Sequence, residues 1–264
     1  MAVATKSINV HPSAVVGPNA RIGSGCFIGP YSIVGDEVEL ENDVRLDSHC
    51  VIDGRTTIGQ GTRVFPFVSI GLQAQDLKYQ GEPSETRIGQ RNQIREFVTI
   101  HRGTAGGGML TQIGDDCLLM AQAHVAHDCR IGDGVIMANA ATLAGHVTIE
   151  DNANVGAYSG VHQFCRIGRE AYVGGYSVVV KDALPFGLTV GNHARCYGLN
   201  TTGMKRRGYS REVISSLHRA FHLLLSSKLN TSQALEKIKQ EIQDVPEVDT
   251  LVRFIESSQR GVVK

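Results

Sequence analysis

The amino-acid sequence predicts a mainly β protein: a parallel β-helix of hexapeptide repeats, with three strands per coil, followed by a C-terminal α-helical domain. Three observations support this prediction. An aliphatic residue recurs every six residues, and a small residue occupies the sixth position of most repeats. Glycine makes up 30 of the 264 residues, well above its usual share of roughly 7 %.

The aliphatic period is the strongest of these signals. Cut into sixes from Asn9, the chain has an aliphatic residue at the second position of every hexad as far as Ile70. The pattern returns from Ile88 to Ile100 and again from Ile113 to Val179. A period of six fits neither a helix nor a plain strand, and it is typical of a parallel β-helix. Because three hexads complete one coil, residues 18 positions apart should stack ~4.8 Å from each other.

The sixth position of each hexad should point inward near a corner, and it mostly holds small residues. Five of the six cysteines fall there: Cys26, Cys50, Cys117, Cys129 and Cys165. We therefore predict that they fill the core and are neither ligands nor nucleophiles. Since no CxxC pair occurs, the cysteines also indicate free thiols and a cytoplasmic protein.

Two interruptions break the repeat. The first, QDLKYQGEPSET (75–86), is polar, and the second, AGGGML (105–110), has three consecutive glycines. Solenoid proteins place insertions on one face, often the binding face, so we expect both loops to serve the function. The predicted domains are a β-helix over 1–190 and a linker with a helical domain over 191–264.

The six-residue period ends after Ala183. The next stretch, LPFGLTVGNHARCYGLNTTGMKRRG, is predicted to be an irregular linker. Apolar residues at i, i+3 and i+4 then predict three short helices, which begin near Ser210, near Asn230 or Thr231, and at Pro246. We expect these helices to pack together and cover one end of the prism.

Composition argues against several classes of protein. Lys+Arg and Asp+Glu each number 26, and this zero net charge argues against nucleic-acid binding. The first ten residues lack the apolar segment of a secretory signal. No run of 18 apolar residues occurs, so membrane insertion is not expected. The sequence predicts no cofactor and no metal.

Histidines cluster in HVAHDC, TLAGHV and GVHQFC. The 18-residue coil places His127, Gly145 and Gln163 in one column, and Asp128 under His146 in the next. This set offers a general base in His127, a carboxylate to orient it in Asp128, and a bare backbone amide for an oxyanion at Gly145. Such a set suits direct transfer of an acyl group from a thioester to a hydroxyl.

A second column of small residues, Ala121, Asn139, Ala157 and Gly175, runs along the prism with the same spacing. It is compatible with a shallow groove for a linear acyl chain, or simply with the needs of a turn.

The chain contains, in this order and with these gaps, QDLKYQGEP, TIHRGT, HVAHDC, ATLAGHV, VHQFC, GNHA and KRRGYSRE. In these motifs it resembles the UDP-N-acetylglucosamine O-acyltransferases, over essentially its whole length. The resemblance implies a left-handed helix and a homotrimer with sites between subunits. It also implies the first step of lipid A biosynthesis, in which a 3-hydroxyacyl chain passes from acyl carrier protein to the 3-OH of UDP-N-acetylglucosamine.

The resemblance also implies residue roles. His127 would be the general base, with Asp128 orienting it and the Gly145 amide binding the oxyanion. Contacts to the acyl donor or the sugar would come from Asp76, Lys78, His124, His146 and Gln163. Contacts to the nucleotide, or to acidic carrier protein, would come from His193, Asn200, Arg206 and Arg207. Gly175 would be associated with longer acyl chains, and Thr202 stands where the family commonly has Glu.

Three alternatives remain at this point. Another hexapeptide acyltransferase could use acetyl-CoA or acylate a 3-amino sugar. A γ-type carbonic anhydrase would bind zinc through histidines such as His101, His124, His127 and His146. A non-catalytic solenoid predicts regular outward Thr ladders and no insertions, and neither prediction fits the sequence.

Overall fold

The hexapeptide repeat folds as short strands joined by tight turns. In RIGDGV, Arg130–Ile131 form a strand, the Ile131 side chain is buried, and the residues that follow turn the chain toward the next face. Ile131 pairs in parallel with Ile149, 18 positions later. The structure, a computed structural model, describes residues 7–264, so residues 1–6 of the predicted β-helix domain lie outside the described residues.

Successive strands belong in turn to three sheets, which form the faces of a triangular prism. Sheet 1 contains β1 (Asn9–Val10), β4 (Phe27–Ile28), β7 (Arg45–Leu46), β10 (Arg63–Val64), β13 (Gln93–Ile94), β16 (Leu118–Leu119), β19 (Ile136–Met137), β22 (Asn154–Val155), β25 (Tyr172–Val173), β27 (Gly187–Val190) and β28 (Arg195–Leu199). Sheet 2 contains β2 (Val15–Val16), β5 (Ile33–Val34), β8 (Val51–Ile52), β11 (Ser69–Leu72), β14 (Thr99–His101), β17 (His124–Val125), β20 (Thr142–Leu143), β23 (Gly160–Val161) and β26 (Val178–Val179). Sheet 3 contains β3 (Arg21–Ile22), β6 (Glu39–Leu40), β9 (Arg55–Ile58), β12 (Glu85–Ile88), β15 (Leu110–Ile113), β18 (Arg130–Ile131), β21 (Thr148–Ile149) and β24 (Arg166–Ile167). The architecture is the predicted left-handed parallel β-helix.

The core of the prism is a column of the second-position aliphatic side chains with the small sixth-position residues between them. All six cysteines are buried and unpaired, and burial raises the pKa of the Cys129 thiol to about 12. This confirms that the cysteines fill space, because a thiol that stays protonated is a poor nucleophile and a poor ligand.

The two insertions lie where the register changes. Ile88 pairs with Ile58, 30 positions earlier, and with Ile113, 25 positions later. The strands resume slightly before the hexad count predicts: Glu85 already pairs with both Arg55 and Leu110. The last residues of the predicted windows 75–86 and 105–110 are therefore strand residues. A short 3-10 helix, Ala105–Gly107, forms part of the second loop.

The predicted irregular linker is in fact ordered. Strand β27 continues sheet 1, β28 folds back against it in an antiparallel pair, and helix α1 (Thr201–Arg206) follows. Hexad counting misses this hairpin because its strands no longer follow the coil period.

The three predicted helices are present, and their caps are the expected residues. Helix α2 (Arg211–Phe221) begins after Ser210 and runs into a π-helical turn, His222–Ser226. Helix α3 (Thr231–Glu241) has a capping box at Asn230, and α4 (Pro246–Glu256) has proline in its first turn. The helices pack on each other and on β28. Within residues 7–264, no helix combines the length and the apolar character needed to cross a bilayer.

Candidate active site

The predicted histidine columns form at the corner between sheets 2 and 3. His127 lies in the turn between β17 and β18, and the N–H of His146 donates to the His127 carbonyl oxygen over 3.1 Å. A Cβ built on Gly145 would lie only 2.5 Å from Cε1 of His127. The His127 ring can therefore occupy this position only because Gly145 has no side chain. Among residues 7–264, the Gly145 N–H pairs with no acceptor.

His127 and Asp128 form a hydrogen-bonded dyad. Nδ1 of His127 lies 2.8 Å from Oδ2 of Asp128, and the carboxylate side chain is fully buried. Because a carboxylate only accepts, the imidazole donates from Nδ1, and this leaves Nε2 as a proton acceptor. The His127 side chain is 13 % exposed. The dyad thus presents one basic nitrogen at a partly covered surface.

The second loop encloses the Asp128 carboxylate. The backbone N–H of Thr104 donates to Oδ1 over 2.9 Å, and its hydroxyl donates to Oδ2 over 2.6 Å. A Cβ built on Gly107 would lie 1.9 Å from the Asp128 Cγ. These residues were missed by the sequence analysis, although the three adjacent glycines of this loop were a signal. Their contacts hold the carboxylate that orients His127.

His146 and Phe164 form the upper wall of this corner. The His146 ring meets the His127 ring edge to face at 5.1 Å and stacks on Phe164 at 4.4 Å. Burial lowers the pKa of His146, and His127 adds to this, while the carboxylates of Asp128 and Asp76 oppose it. Asp76, from the first loop, therefore lies close enough to His146 to affect its charge. A neutral His146 is favoured beside the dyad.

His124 lies on β17, and His101 lies on β14, the neighbouring strand of sheet 2. Nδ1 of His124 is 2.7 Å from the hydroxyl of Thr99, and burial lowers the pKa of His124. His101 is buried, and burial, with help from His124 and His127, lowers its pKa to about 4. Both rings are therefore favoured in their neutral form near the dyad.

Lys78 and Gln163 are exposed near this corner without fixed contacts to the dyad. The Lys78 N–H donates to the Asp76 carboxylate within the first loop, and the Gln163 carbonyl lies 3.1 Å from Nδ1 of His162. Both side chains remain open to a ligand.

A second group of predicted residues meets on sheet 1. Asn200, Arg206 and Arg207 line a groove of about 610 Å³ whose floor includes Tyr172, and Thr202 lies in the same groove. Asn200 caps α1 through the Gly203 N–H and donates to the Glu170 carbonyl oxygen over 3.1 Å. Arg207 pairs with the Glu170 carboxylate over 2.9 Å. Sequence reasoning missed Glu170.

His193 does not join this group. It lies between β27 and β28 and lines a separate cavity of about 570 Å³ with Lys181, Arg195 and Lys264. The structure therefore separates it from Asn200, Arg206 and Arg207.

Gly175 lies at the corner between sheets 1 and 2. The predicted small-residue column forms there: the N–H of Tyr176 donates to the Ala157 carbonyl oxygen, and a Cβ on Gly175 would lie 3.2 Å from the same oxygen. Stacked rings of Tyr158 and Tyr176 flank the column. Sheet 2 separates this column from the dyad.

The comparisons with known proteins cover both halves of the chain. The family described as "Udp N-acetylglucosamine O-acyltransferase; Domain 2" matches residues 182–263, and the bacterial transferase hexapeptide repeat matches residues 110–145. LpxA from Acinetobacter baumannii is 43 % identical, with 97 % of this chain and 99 % of that chain covered and a TM-score of 0.94. The chain belongs to the UDP-N-acetylglucosamine acyltransferase family.

Other family members extend the similarity to distant organisms. UDP-N-acetylglucosamine O-acyltransferase (LpxA) from Moraxella catarrhalis is 40 % identical, with 97 % of this chain and 99 % of that chain covered and a TM-score of 0.93. Arabidopsis UDP-N-acetylglucosamine acyltransferase is 36 % identical, with 97 % of this chain and 100 % of that chain covered and a TM-score of 0.85. The similarity to these relatives therefore covers both the β-helix and the helical tail of this chain.

Proposed function

We propose that the protein transfers a 3-hydroxyacyl chain from acyl carrier protein to the 3-hydroxyl of UDP-N-acetylglucosamine, as the first step of lipid A biosynthesis. The observation that supports this most is the His127–Asp128 dyad, in which the buried Asp128 carboxylate orients the imidazole. The Gly145 N–H beside it has no acceptor among residues 7–264. Family membership supports the choice of a nucleotide sugar as acceptor.

The reaction proceeds directly, without a covalent enzyme intermediate. Nε2 of His127 takes the proton of the sugar 3-hydroxyl as its oxygen attacks the thioester carbonyl carbon. The Gly145 N–H donates to the oxyanion that develops on the carbonyl oxygen. The tetrahedral intermediate then breaks its C–S bond, and the proton on His127 passes to the leaving thiolate. Asp128 holds the tautomer and stabilises the imidazolium between these steps.

The surrounding polar residues position the two substrates. Asp76 and Lys78 of the first loop, with His124, His146 and Gln163, contact the sugar or the acyl donor. A neutral His146 donates or accepts a hydrogen bond without adding charge next to His127. The small-residue column at Gly175 receives the acyl chain; because sheet 2 separates this column from the dyad of the same chain, the column serves the dyad of a neighbouring subunit.

The nucleotide is held by Asn200, Arg206 and Arg207, whereas His193 lines a separate cavity and is left out of this group. These groups lie on sheet 1, whereas His127 lies at the corner that sheet 1 does not share. A single chain therefore cannot bring both groups to one small substrate. We propose a homotrimer in which the corner of one subunit faces the sheet 1 groove of its neighbour.

Mixed trimers test this arrangement. Subunits with His127→Ala and subunits with Asn200→Ala and Arg206→Ala are inactive or weak alone, but each mixed ring contains one intact site. Co-expression should restore about a quarter of the wild-type sites if assembly is random in a closed ring. Activity no higher than the sum of the two separate variants would refute a shared site.

Six free thiols support a reducing compartment, and we propose that the protein acts in the cytoplasm. It needs no cofactor in the mechanism above, and no nucleic acid or membrane insertion is part of it.

The direct test of the reaction is mass spectrometry of the products. UDP-N-acetylglucosamine is mixed with the enzyme and with 3-hydroxyacyl carrier proteins of different length, and acetyl-CoA serves as the competing donor. A mono-acylated nucleotide sugar bearing a 3-hydroxyacyl chain is expected. Acetylated product would indicate another hexapeptide acyltransferase. Intact substrates, with acylation of the corresponding 3-amino sugar instead, would replace the proposed acceptor.

Metal analysis tests the remaining alternative. Ligand-type atoms of His127, Asp128 and His146 lie within 4.8 Å of one another, a set that a metal ion could share. In the acyltransferase proposal, Asp128 is already occupied by Thr104 and His127. Stoichiometric zinc together with CO2 hydration would favour the γ-type carbonic anhydrase.

A further inference from the structure

Behind the residues that line the sheet 1 groove lies a buried acidic residue that no step above uses, and it contacts two of the lining residues, Asn200 and Arg207. Glu170 lies in the turn after β24, and its side chain is only 5 % exposed. A buried carboxylate is costly unless charged or polar partners surround it. Glu170 therefore requires a charged or polar partner at this position.

That partner is Arg207. Oε2 of Glu170 lies 2.9 Å from Nε of Arg207, whose side chain remains 38 % exposed. Burial raises the pKa of Glu170, while the cations of Arg207 and Arg169 and the side chains of Tyr209 and Asn152 oppose that rise. Binding through Nε leaves both terminal nitrogens of the guanidinium available as donors.

The same turn also fixes Asn200. Its side-chain amide donates to the backbone carbonyl of Glu170 over 3.1 Å. One residue thus ties together two of the groups that line the groove, one through its carboxylate and one through its backbone.

We propose that Glu170 is a positioning residue for the nucleotide: it fixes the Arg207 guanidinium so that its two free nitrogens donate hydrogen bonds to the bound UDP-sugar. This proposal rests on the proposed function of the groove. Because the Glu170–Arg207 pair is neutral as a whole, Arg207 supplies directed donors, and Arg206 supplies the net positive charge.

The test is a double-mutant cycle read out as binding of UDP-N-acetylglucosamine to the trimer by calorimetry, with KM and kcat measured beside it. Glu170→Ala should weaken binding about 10-fold, the loss expected for one hydrogen bond to a charged group, and leave kcat within about twofold. Arg207→Ala should weaken it as much. The double variant should bind like Arg207→Ala alone, because Glu170 acts through Arg207.

Two further variants separate positioning from folding. Glu170→Gln keeps an oxygen within reach of Arg207 Nε and should recover most of the affinity. Glu37→Ala breaks an exposed Arg–Glu pair elsewhere on the prism, with Arg55 at 3.3 Å, and should leave binding unchanged. Wild-type affinity in Glu170→Ala, or losses that multiply in the double variant, would overturn the proposal. A wild-type trimer that fails to bind the nucleotide sugar would instead overturn the proposed function.

Discussion

The contact between the second loop and Asp128 makes Gly107→Ala an informative variant. Gly107 has a backbone conformation open to alanine, but its Cβ would lie 1.9 Å from the Asp128 Cγ and 2.2 Å from Oδ2. Carbon atoms in contact are separated by roughly 3.5 Å. The methyl group and the carboxylate must therefore move apart by about 1.6 Å.

The Asp128 carboxylate has little freedom to absorb this shift. It is buried and accepts from the Thr104 N–H, the Thr104 hydroxyl and His127. A misplacement of about 1 Å in catalytic geometry can cost ~10²-fold in rate, and loss of an orienting Asp costs up to ~10⁴-fold. We therefore expect kcat of Gly107→Ala to fall about 10²-fold, with a smaller change in KM.

The matched control is the adjacent glycine. A Cβ on Gly106 would come no closer than 4.0 Å to its nearest neighbour, the Thr104 hydroxyl, so Gly106→Ala should keep wild-type kcat. Both variants are compared by steady-state kinetics and by thermal unfolding. If Gly107→Ala keeps kcat within twofold of Gly106→Ala, then the position of the Asp128 carboxylate does not control the rate.

Substitutions at Gly145, Gly175 and His101 test three further features of the structure. Gly145→Ala keeps the backbone N–H but places a methyl group 2.5 Å from His127 Cε1, so kcat should drop about 10²-fold. An unchanged kcat would show that glycine at 145 is not needed to place the His127 ring. Gly175→Met should shift the preferred donor to a shorter acyl chain, measured by competition between carrier proteins, and an unchanged preference would remove Gly175 from chain selection. The pKa of His101 is lowered to about 4, so the unfolded chain binds more protons than the folded one between about pH 6.5 and pH 4. The free energy of unfolding should therefore fall by up to about 3 kcal/mol as the pH drops through this range. Denaturant unfolding should reveal a smaller loss in His101→Gln than in the wild-type protein. Equal losses in the two proteins would contradict the assignment to His101.

Periodicity was sufficient to predict the β-helix and the stacked columns. Because strands in a regular coil pair at a fixed spacing, the sequence alone placed Gly145 beside His127 and His146 above Asp128. The sequence predicted Gly145 as a bare amide for an oxyanion, which stays a prediction, and the steric need for glycine beside the imidazole became visible only in the structure.

Residues outside the period were harder to predict. Thr104 and Gly107 reach Asp128 through a loop whose path no repeat fixes. Glu170 occupies an ordinary turn position in its hexad, and its burial depends on the fold of the helical tail over sheet 1. The β27–β28 hairpin reverses direction, so counting in sixes gave an irregular linker and no location for His193.

The role of His127 is tested by comparing the single-turnover rates of acyl transfer to UDP-N-acetylglucosamine in the wild-type enzyme and in His127→Ala. The His127 side chain lies at the surface of the prism, so the variant should assemble normally. We expect a rate lower by about 10²–10⁴-fold, the usual contribution of a positioned general base, with nucleotide binding retained. A folded His127→Ala variant that transfers the acyl chain at a near-normal rate would contradict the assignment of His127 as the base.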